Sequence, residues 1–269
     1  MQQAIAVLDS GVGGLTVVKE VMRQLPRERI IYFGDTARAP YGPRPSAEVV
    51  MFTKQIVDFL LEFNPKMIVI ACNTATALAL DEIRAYSPVP VLGVIHPGTR
   101  AAIKNTANNV IGVIGTEGTI RSGAYEQAIN TVLPDAVVHS VACPRLVPLV
   151  EKGLYSETES RIAVSESLMP LKDKPIDCLI LGCTHYPFLS DMISHVMGSG
   201  VKLISSADET AREIGTVLYH RGQLAEEDER PNHQFFCSGD SHMFRKIAQQ
   251  WLGQEISVSS MTWPETQII

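Results

Sequence analysis

The chain has 269 residues, of which 45% are hydrophobic and 19% are charged, and this composition excludes a largely disordered protein. A formal net charge of −6 disfavours nucleic acid as a partner, and no apolar run approaches the roughly 18–20 residues of a membrane span. Because the N-terminus shows no charged segment followed by a cleavage site, we expect a cytoplasmic protein with no membrane partner.

The predicted elements alternate between strand and helix. Apolar runs predict strands at 4–9, 30–34, 67–72, 91–95, 110–115, 136–142, 177–183 and 201–205. Helical patterns lie between them at 15–25, 47–63, 75–86, 121–132, 156–169 and 188–197. Since the apolar runs are not interrupted by alternating polar residues, we expect parallel strands covered on both faces by helices, which is the α/β class.

The second half of the chain repeats the first. Residues 5–10 match residues 111–116 at an offset of 106 positions, and Cys72 matches Cys183 at an offset of 111. Each half has four predicted strands, with a cysteine after the third. An internal duplication of this size predicts two similar domains, each a mainly parallel sheet flanked by helices. Ligands of such sheets bind beyond the carboxyl ends of the strands, so we expect the active site in the interdomain cleft.

We place the first domain boundary at residues 96–98. The first domain then comprises residues 1–97 together with 208–269, and the second comprises 98–207. The last segment begins as a helix, and it continues through a charged stretch at 225–231, a strand at 234–237 and a helix at 241–252. We expect this segment to pack back onto the first domain.

The five cysteines form neither a disulfide framework nor a metal site in this prediction. Their number is odd, and no C-x-x-C pair occurs. Cys178 and Cys183 are five positions apart on one predicted strand, which directs their side chains to opposite faces. We therefore expect no bound metal.

Two matching strings around Cys72 and Cys183 are the most informative motifs. Each consists of an apolar strand, a cysteine, small polar residues and a helical pattern. A single cysteine at a strand end is usually a small buried apolar residue, but packing gives no reason to repeat the string. Two thiols presented alike suggest acid–base chemistry on opposite faces of one small substrate. We expect a helix N-terminus beside each thiol to lower its pKa. Capping groups and hydrogen-bond donors come from Asn73, Thr74, Thr184 and His185.

A turn of small residues follows the first strand. Gly11 and Gly13 fit the start of the dinucleotide-binding G-x-G-x-x-G pattern, but Thr16 occupies the position of the third glycine. Asp35, after the second strand, is placed where a ribose-binding acid could lie, yet Asp9 would repel a pyrophosphate. We prefer a cationic partner for Asp9, either a substrate ammonium or a histidine. The backbone N–H groups of the turn can approach an anion.

Other segments are expected at the same end of the sheets. Tyr41 and Gly42 follow the second strand and could form a wall of the site, although such a string alone is usually a surface turn. Thr116 and Thr119 are their counterparts in the second half, where donors could hold a carboxylate. His185, two residues after Cys183, could polarise an acid–base pair or donate to a carboxylate.

Together these strings closely resemble those of bacterial glutamate racemases, over nearly the whole chain. The strings are DSGVGGLT at 9–16, YFGD at 32–35, PYG at 40–42, ACNTA at 71–75 and LGCTHYP at 181–187. The first separates them from the wider aspartate and hydantoin racemases. The resemblance implies an enzyme without a cofactor that interconverts L- and D-glutamate and supplies D-glutamate for peptidoglycan. It also implies two similar α/β domains and, commonly, a homodimer.

The resemblance assigns roles by position. Cys72 would take the α-proton from D-glutamate and Cys183 would take it from L-glutamate. Asp9, Glu151 and His185 would assist the two thiols, although Glu151 lies in the least distinctive string and such a residue is usually solvated. Substrate contacts would fall on Asp9, Ser10, Tyr41, Gly42, Asn73, Thr74, Thr116, Thr119, Thr184 and His185.

Three alternatives stay open from the sequence. The same duplicated scaffold could racemise aspartate, which a comparison of rates on the two amino acids would reveal. The paired thiols could sense redox state in a binding protein, which predicts a disulfide between Cys72 and Cys183 and no turnover. The glycine-containing turn could serve a nucleotide-dependent enzyme, which nucleotide titration would test.

Overall fold

The protein is described by a computed structural model that covers residues 3–154, 158–226 and 231–263. The described strands are β1 (Ile5–Asp9), β2 (Ile30–Gly34), β3 (Met67–Ile70), β4 (Val91–Gly93), β5 (Val110–Gly115), β6 (Val137–Ala142), β7 (Cys178–Gly182), β8 (Lys202–Ile204), β9 (Gln234–Cys237) and β10 (Val258–Ser260). The described α-helices are α1 (Leu15–Gln24), α2 (Ser46–Leu61), α3 (Asn73–Tyr86), α4 (Ile95–Asn105), α5 (Glu117–Arg121), α6 (Ala124–Val132), α7 (Leu146–Glu151), α8 (Thr158–Leu168), α9 (Ser190–Met197), α10 (Ser206–His220) and α11 (Ser241–Leu252).

The strands form two parallel sheets. The first has the order β10-β9-β2-β1-β3-β4, and the second has the order β6-β5-β7-β8. The first four strands of each half are thus arranged identically, because β2-β1-β3-β4 corresponds to β6-β5-β7-β8. The predicted α/β class with two similar domains is confirmed.

The buried strands carry apolar residues on both faces because each sheet lies between helices. In β1, Ile5 and Val7 join one hydrophobic cluster, whereas Ala6 and Leu8 join another on the opposite face. Successive side chains of a strand point to opposite faces, so a strand covered on both sides needs a continuous apolar run. This requirement is why the apolar runs predicted these strands closely.

The last segment of the chain returns to the first sheet. Strand β9 pairs with β2, where Tyr32 is opposite Phe235, and α10 packs against α1 and α4. The chain passes between the sheets through α4, so residues 96–98 lie inside a helix. The domain limits at residues 97 and 208 stay a prediction.

Several elements differ from the prediction. The expected helix at 121–132 is two helices, α5 and α6, which are separated at Gly123, where φ is +66°. Helices α4 and α7 were not predicted, because Pro97 and Pro148 read as turn signals although a proline is tolerated in the first helical turn. Short β10 was also missed. Positions 156–157 of a predicted helix, 227–230 of the charged stretch, and 1–2 and 264–269 of the first domain lie outside the described residues.

The carboxyl ends of the central strands present the predicted site residues. Asp9 ends β1, while Cys72 and Cys183 lie just beyond β3 and β7. None of the described helices has the length and hydropathy that crossing a membrane requires.

Candidate active site

Cys72 and Cys183 line one narrow cavity between the two halves of the chain. Both are buried, with 4% and 5% of their surfaces exposed. The cavity has a volume of about 10 Å³, which accommodates about one water molecule. A larger cleft of about 340 Å³ beside α3, α4 and α6 contains neither cysteine. The chemistry of the lining, rather than size, therefore identifies the candidate site.

The Cys72 thiol is held as a neutral group. Cys72 is the N-cap of α3, its Sγ accepts the N–H of Ala75 at 3.4 Å, and its thiol donates to Ser10 Oγ at 3.6 Å. Burial, followed by the negative charge of Asp9, raises the pKa of Cys72 to about 12, although the Ala75 N–H and Ser10 act in the opposite direction. The expectation of a lowered pKa is therefore wrong for Cys72, because desolvation of a thiolate outweighs the start of one helix.

Cys183 has a different environment. Its Sγ lies 3.6 Å from Nδ1 of His185, whose Nε2 contacts Oε1 of Glu151. Burial alone would lower the pKa of His185, but the hydrogen bonds with Cys183 and Glu151 raise it well above its usual value. The raised pKa favours the protonated ring, in which both N–H groups are donors.

A cation, rather than a helix end, is the charged neighbour of Cys183. The chain after His185 forms a short 3₁₀ helix, Tyr186–Leu189, and α9 begins only at Ser190. In place of the α-helix predicted beside this thiol, a four-residue 3₁₀ helix follows His185 and precedes α9. The imidazolium of His185 supplies the positive charge instead.

Asp9 connects the two halves behind the cavity. It is completely buried, and its carboxylate accepts the N–H of Gly11 at 3.1 Å and the hydroxyl of Thr184 at 3.1 Å. Burial raises the pKa of Asp9, whereas the charge of His185 opposes this effect. His185, in the second half, is thus close enough to act on the charge of Asp9, and a cationic partner for Asp9, either a substrate ammonium or a histidine, stays a prediction.

The turn after β1 approaches the second half closely. The N–H of Val12 donates to Glu151 Oε1 at 3.0 Å. A Cβ added to Gly11 would lie 1.9 Å from that oxygen, and one added to Gly13 would lie 2.4 Å from Thr184 Oγ1. These glycines are required for close approach, as in a nucleotide-binding turn, but the anion that meets the turn here is a protein carboxylate. Glu151, expected to be solvated if judged alone, has a side chain that is only 20% exposed.

Threonine hydroxyl groups from both halves of the chain lie close together at one side of the cavity. Thr74 Oγ1 lies 2.8 Å from Thr116 Oγ1 and 3.3 Å from Thr119 Oγ1. Nearby, the N–H of Gly118 donates to the carbonyl of Gly42 at 2.8 Å. A backbone hydrogen bond thus joins the loop after β2 to α5 across the cleft.

Asn73 carries a donor without a partner. Its Oδ1 accepts the hydroxyl of Tyr125 at 2.6 Å, but its buried Nδ2 has no hydrogen-bond partner among the described residues. A buried amide left in this state is costly, and a ligand oxygen in the cavity would satisfy it.

Most of the residues predicted for the site line the cavity. Asp9, Glu151 and Thr119 do not, and each lies one hydrogen bond behind a lining residue. Sequence reasoning missed Val147, an apolar residue of a short helix that carries no chemical signal, and Tyr125, which orients Asn73. The lining consists of Ser10, Pro40, Tyr41, Gly42, Cys72, Asn73, Thr74, Thr116, Val147, Cys183, Thr184 and His185.

Known proteins share this sequence and fold. The family model described as Asp/Glu/Hydantoin racemase matches residues 5–214. The chain belongs to this racemase family. A glutamate racemase of Bacillus cereus is 54% identical over 256 residues, covering 95% of each chain.

Solved structures of family members agree with the fold of this racemase. The glutamate racemase isoform RacE1 of Bacillus anthracis is 49% identical, with a TM-score of 0.94 over 97% of this chain and 98% of that chain. The glutamate racemase of Francisella tularensis, solved in complex with D-glutamate, is 35% identical, with a TM-score of 0.89 over 97% and 98% of the two chains.

Proposed function

We propose that this racemase interconverts L- and D-glutamate by moving the α-proton between Cys72 and Cys183. The observation that carries the proposal is that both thiols line one cavity and come from corresponding strand ends of two similar halves. Relatives that are about half identical to the chain are glutamate racemases, and one relative was solved with D-glutamate.

Two bases are required by the stereochemistry. With L-glutamate, the Cys183 thiolate removes the α-proton, and the electron pair of the C–H bond is delocalised into the carboxylate. The Cys72 thiol then gives its proton to the opposite face of the same carbon and becomes a thiolate. A single base that returned the proton to the original face would regenerate the starting enantiomer. With D-glutamate the two thiols exchange roles.

The unequal thiol environments suit this sequence of steps. The high pKa of Cys72 keeps it protonated at neutral pH and ready to act as an acid. The protonated His185 donates toward Cys183 and stabilises negative charge there. Glu151 and Asp9 assist from behind, since Glu151 holds His185 in place and Asp9 binds the hydroxyl of Thr184. General base catalysis of this kind contributes about 10²–10⁴ in rate.

Substrate recognition falls to donors around the thiols. In this proposal the Nδ2 of Asn73, which has no partner among the described residues, and the hydroxyls of Thr74 and Thr116 bind a carboxylate of the substrate. Donors that bind the α-carboxylate stabilise the carbanion, and loss of one such donor typically costs about 10²–10³ in rate. Tyr41, Gly42, Ser10 and Thr184 complete the proposed contacts.

Entry of glutamate requires the walls to separate. The cavity has room for about one water molecule, and the hydrogen bond between Gly118 and Gly42 closes one side of it. We infer that the two halves open for substrate and close around it, which excludes water from the carbanion. During opening, either the hydrogen bond between the N–H of Val12 and Glu151 breaks, or the two residues move together.

The wider role follows from the same proposal. The enzyme works in the cytoplasm without a cofactor, supplies D-glutamate for peptidoglycan, and forms a homodimer. Light scattering coupled to size-exclusion chromatography tests the dimer, since a monomer at working concentrations would contradict it. Depletion of the protein in its host should be relieved by external D-glutamate if cell-wall supply is its role.

The direct test uses L-glutamate in deuterated water without an added cofactor. We expect loss of optical rotation and incorporation of deuterium at the α-carbon. Cys72→Ser should abolish racemisation. The matched control is Cys178→Ala, which removes a buried thiol at the far end of β7 and should preserve activity. Absence of racemisation and of deuterium uptake would refute the function, and faster turnover of aspartate would reassign the substrate.

A further inference from the structure

The loop that carries Tyr41 and Gly42 is tied to the last part of the chain by one buried carboxylate. Asp35 follows β2 and has no exposed surface. Its Oδ2 accepts the guanidinium N–H of Arg38 at 2.6 Å and the hydroxyl of Tyr41. Its Oδ1 accepts the hydroxyl of Ser238 at 2.7 Å and the indole N–H of Trp263 at 2.8 Å.

Each oxygen of Asp35 therefore serves a different part of the molecule. Oδ2 holds the loop that lines the cavity, and Oδ1 holds the segment that returns to the first sheet. Charge-assisted hydrogen bonds are stronger and more directional than neutral ones, so four of them on one buried carboxylate define the positions of all four donors. Replacement of the carboxylate leaves buried donors without partners.

Arg38 strengthens the same connection. Its guanidinium lies 4.0 Å from the ring centre of Trp263 and 4.1 Å from that of Phe52. The ring of Phe52 in turn packs against Tyr41, with ring centres 5.7 Å apart. A continuous set of contacts thus runs from Trp263 through Arg38 and Asp35 to the wall of the cavity, although Trp263 itself does not line the cavity.

Resting on the proposed function, we propose that Asp35 is a positioning residue for glutamate binding, and that Trp263 of the returning segment sets substrate affinity through it. The loop reaches across the cleft, where the carbonyl of Gly42 accepts the N–H of Gly118. A shift of the loop displaces Tyr41 and weakens this closing hydrogen bond. Asp35, considered from the sequence as a ribose-binding acid, has both oxygens occupied by protein donors.

Steady-state kinetics with both enantiomers test this positioning role. For Asp35→Asn we expect the KM for L- and D-glutamate to rise by about 10-fold or more, because an amide presents N–H groups to donors. For Trp263→Phe, which keeps the ring on Arg38 but removes the N–H, we expect a rise of about threefold. The value of kcat should change by less than about twofold, because an interaction made equally with substrate and transition state alters KM alone.

The matched control is Trp251→Phe. Trp251 stacks on Phe188, and its Nε1 has no hydrogen-bond partner among the described residues. The KM of Trp251→Phe for glutamate should equal that of the unsubstituted protein. A merely structural role for Asp35 or Trp263 would instead reduce the active fraction, so that kcat falls while KM is unchanged. That result, or an unchanged KM in folded Trp263→Phe, overturns the proposal.

Fluorescence supplies a readout that does not depend on turnover. The chain has two tryptophans, so Trp251→Phe leaves Trp263 as the single indole. We expect saturating glutamate to change its emission, and Asp35→Asn in the same background to abolish the change while calorimetry, at glutamate concentrations raised to offset weaker binding, still detects binding. Emission that does not respond to bound glutamate overturns the proposal. If the parent neither binds nor racemises glutamate, the proposed function itself fails, which is a separate outcome.

Discussion

The carboxylate of Glu151 accepts the backbone N–H of Val12 at 3.0 Å, although Glu151 ends a helix of the second half and Val12 lies in the first turn of the first half. The same oxygen contacts Nε2 of His185. One carboxylate therefore orients the imidazolium beside Cys183 and also holds the two halves together at the cavity. Both contacts are made by Oε1 of Glu151, so a change at this oxygen acts on the His185 ring and on the turn after β1 together.

The first prediction concerns the pH dependence of Glu151→Gln. The charge of Glu151 helps to raise the pKa of His185, so the amide should lower that pKa toward its usual value. Activity that needs the imidazolium is present below this pKa and is lost as pH rises through it. We expect the alkaline limb of the kcat/KM profile to move to lower pH, with about a 10-fold loss at neutral pH. Glu82→Gln, on the exposed part of α3, is the matched control. An unmoved alkaline limb would separate Glu151 from the ionisation of His185.

The second prediction concerns Gly11→Ala. The new Cβ would lie 1.9 Å from Glu151 Oε1, so the carboxylate or the turn must move. We expect the free energy of unfolding to fall by about 1–3 kcal/mol and kcat/KM to fall at least 10-fold. Urea denaturation and steady-state assays measure the two effects. Gly200→Ala is the control, because nothing lies within 4 Å of its added Cβ. If Gly11→Ala and Gly200→Ala had the same free energy of unfolding and the same kcat/KM, the turn after β1 would be able to accommodate a Cβ, and the prediction would be wrong.

The third prediction concerns the ionisation of Cys72. Its pKa of about 12 arises from burial first and from the charge of Asp9 second. Asp9→Asn removes that charge and should lower the pKa, so that the thiolate forms at lower pH. The pH dependence of iodoacetamide alkylation, followed at Cys72 by peptide mass spectrometry, measures the shift. A titration that is unchanged in Asp9→Asn would mean that Asp9 does not act on this thiol.

The fourth prediction separates the faces of the reaction. If Cys183 serves L-glutamate, Cys72→Ala should still exchange the α-hydrogen of L-glutamate with deuterated water while failing to racemise it. Cys183→Ala should exchange only D-glutamate. Proton magnetic resonance of each pure enantiomer detects the exchange. Exchange of both enantiomers by one variant would imply a single base that reaches both faces, and would contradict the two-thiol mechanism.

The strands and the two cysteine strings were predictable because their signals are local. An apolar run with no polar interruption has few places to lie except between two layers of helices, as β1 and β7 do. Helices α4 and α7 were missed because local signals conflict there, since Pro97 and Pro148 indicate turns yet occupy positions that a helix allows. The role of Glu151 was uncertain for a different reason, because Val12, which donates to its carboxylate, is far away in the sequence.

The sequence by itself determined the α/β class, the repeat and the residue types that gather beyond the strand ends, since periodicity and matched motifs act over short stretches of chain. Only the tertiary structure decided how those residues behave. At Cys72, burial raises the pKa of the thiol more than the start of α3 lowers it. The thiol of Cys183 has His185 as its polar neighbour. Asp35 accepts a hydrogen bond from Trp263 and so connects the last segment of the chain to the loop that lines the cavity. Desolvation and hydrogen bonding depend on distances between residues that are remote in sequence, and these distances exist only once the two halves have packed together.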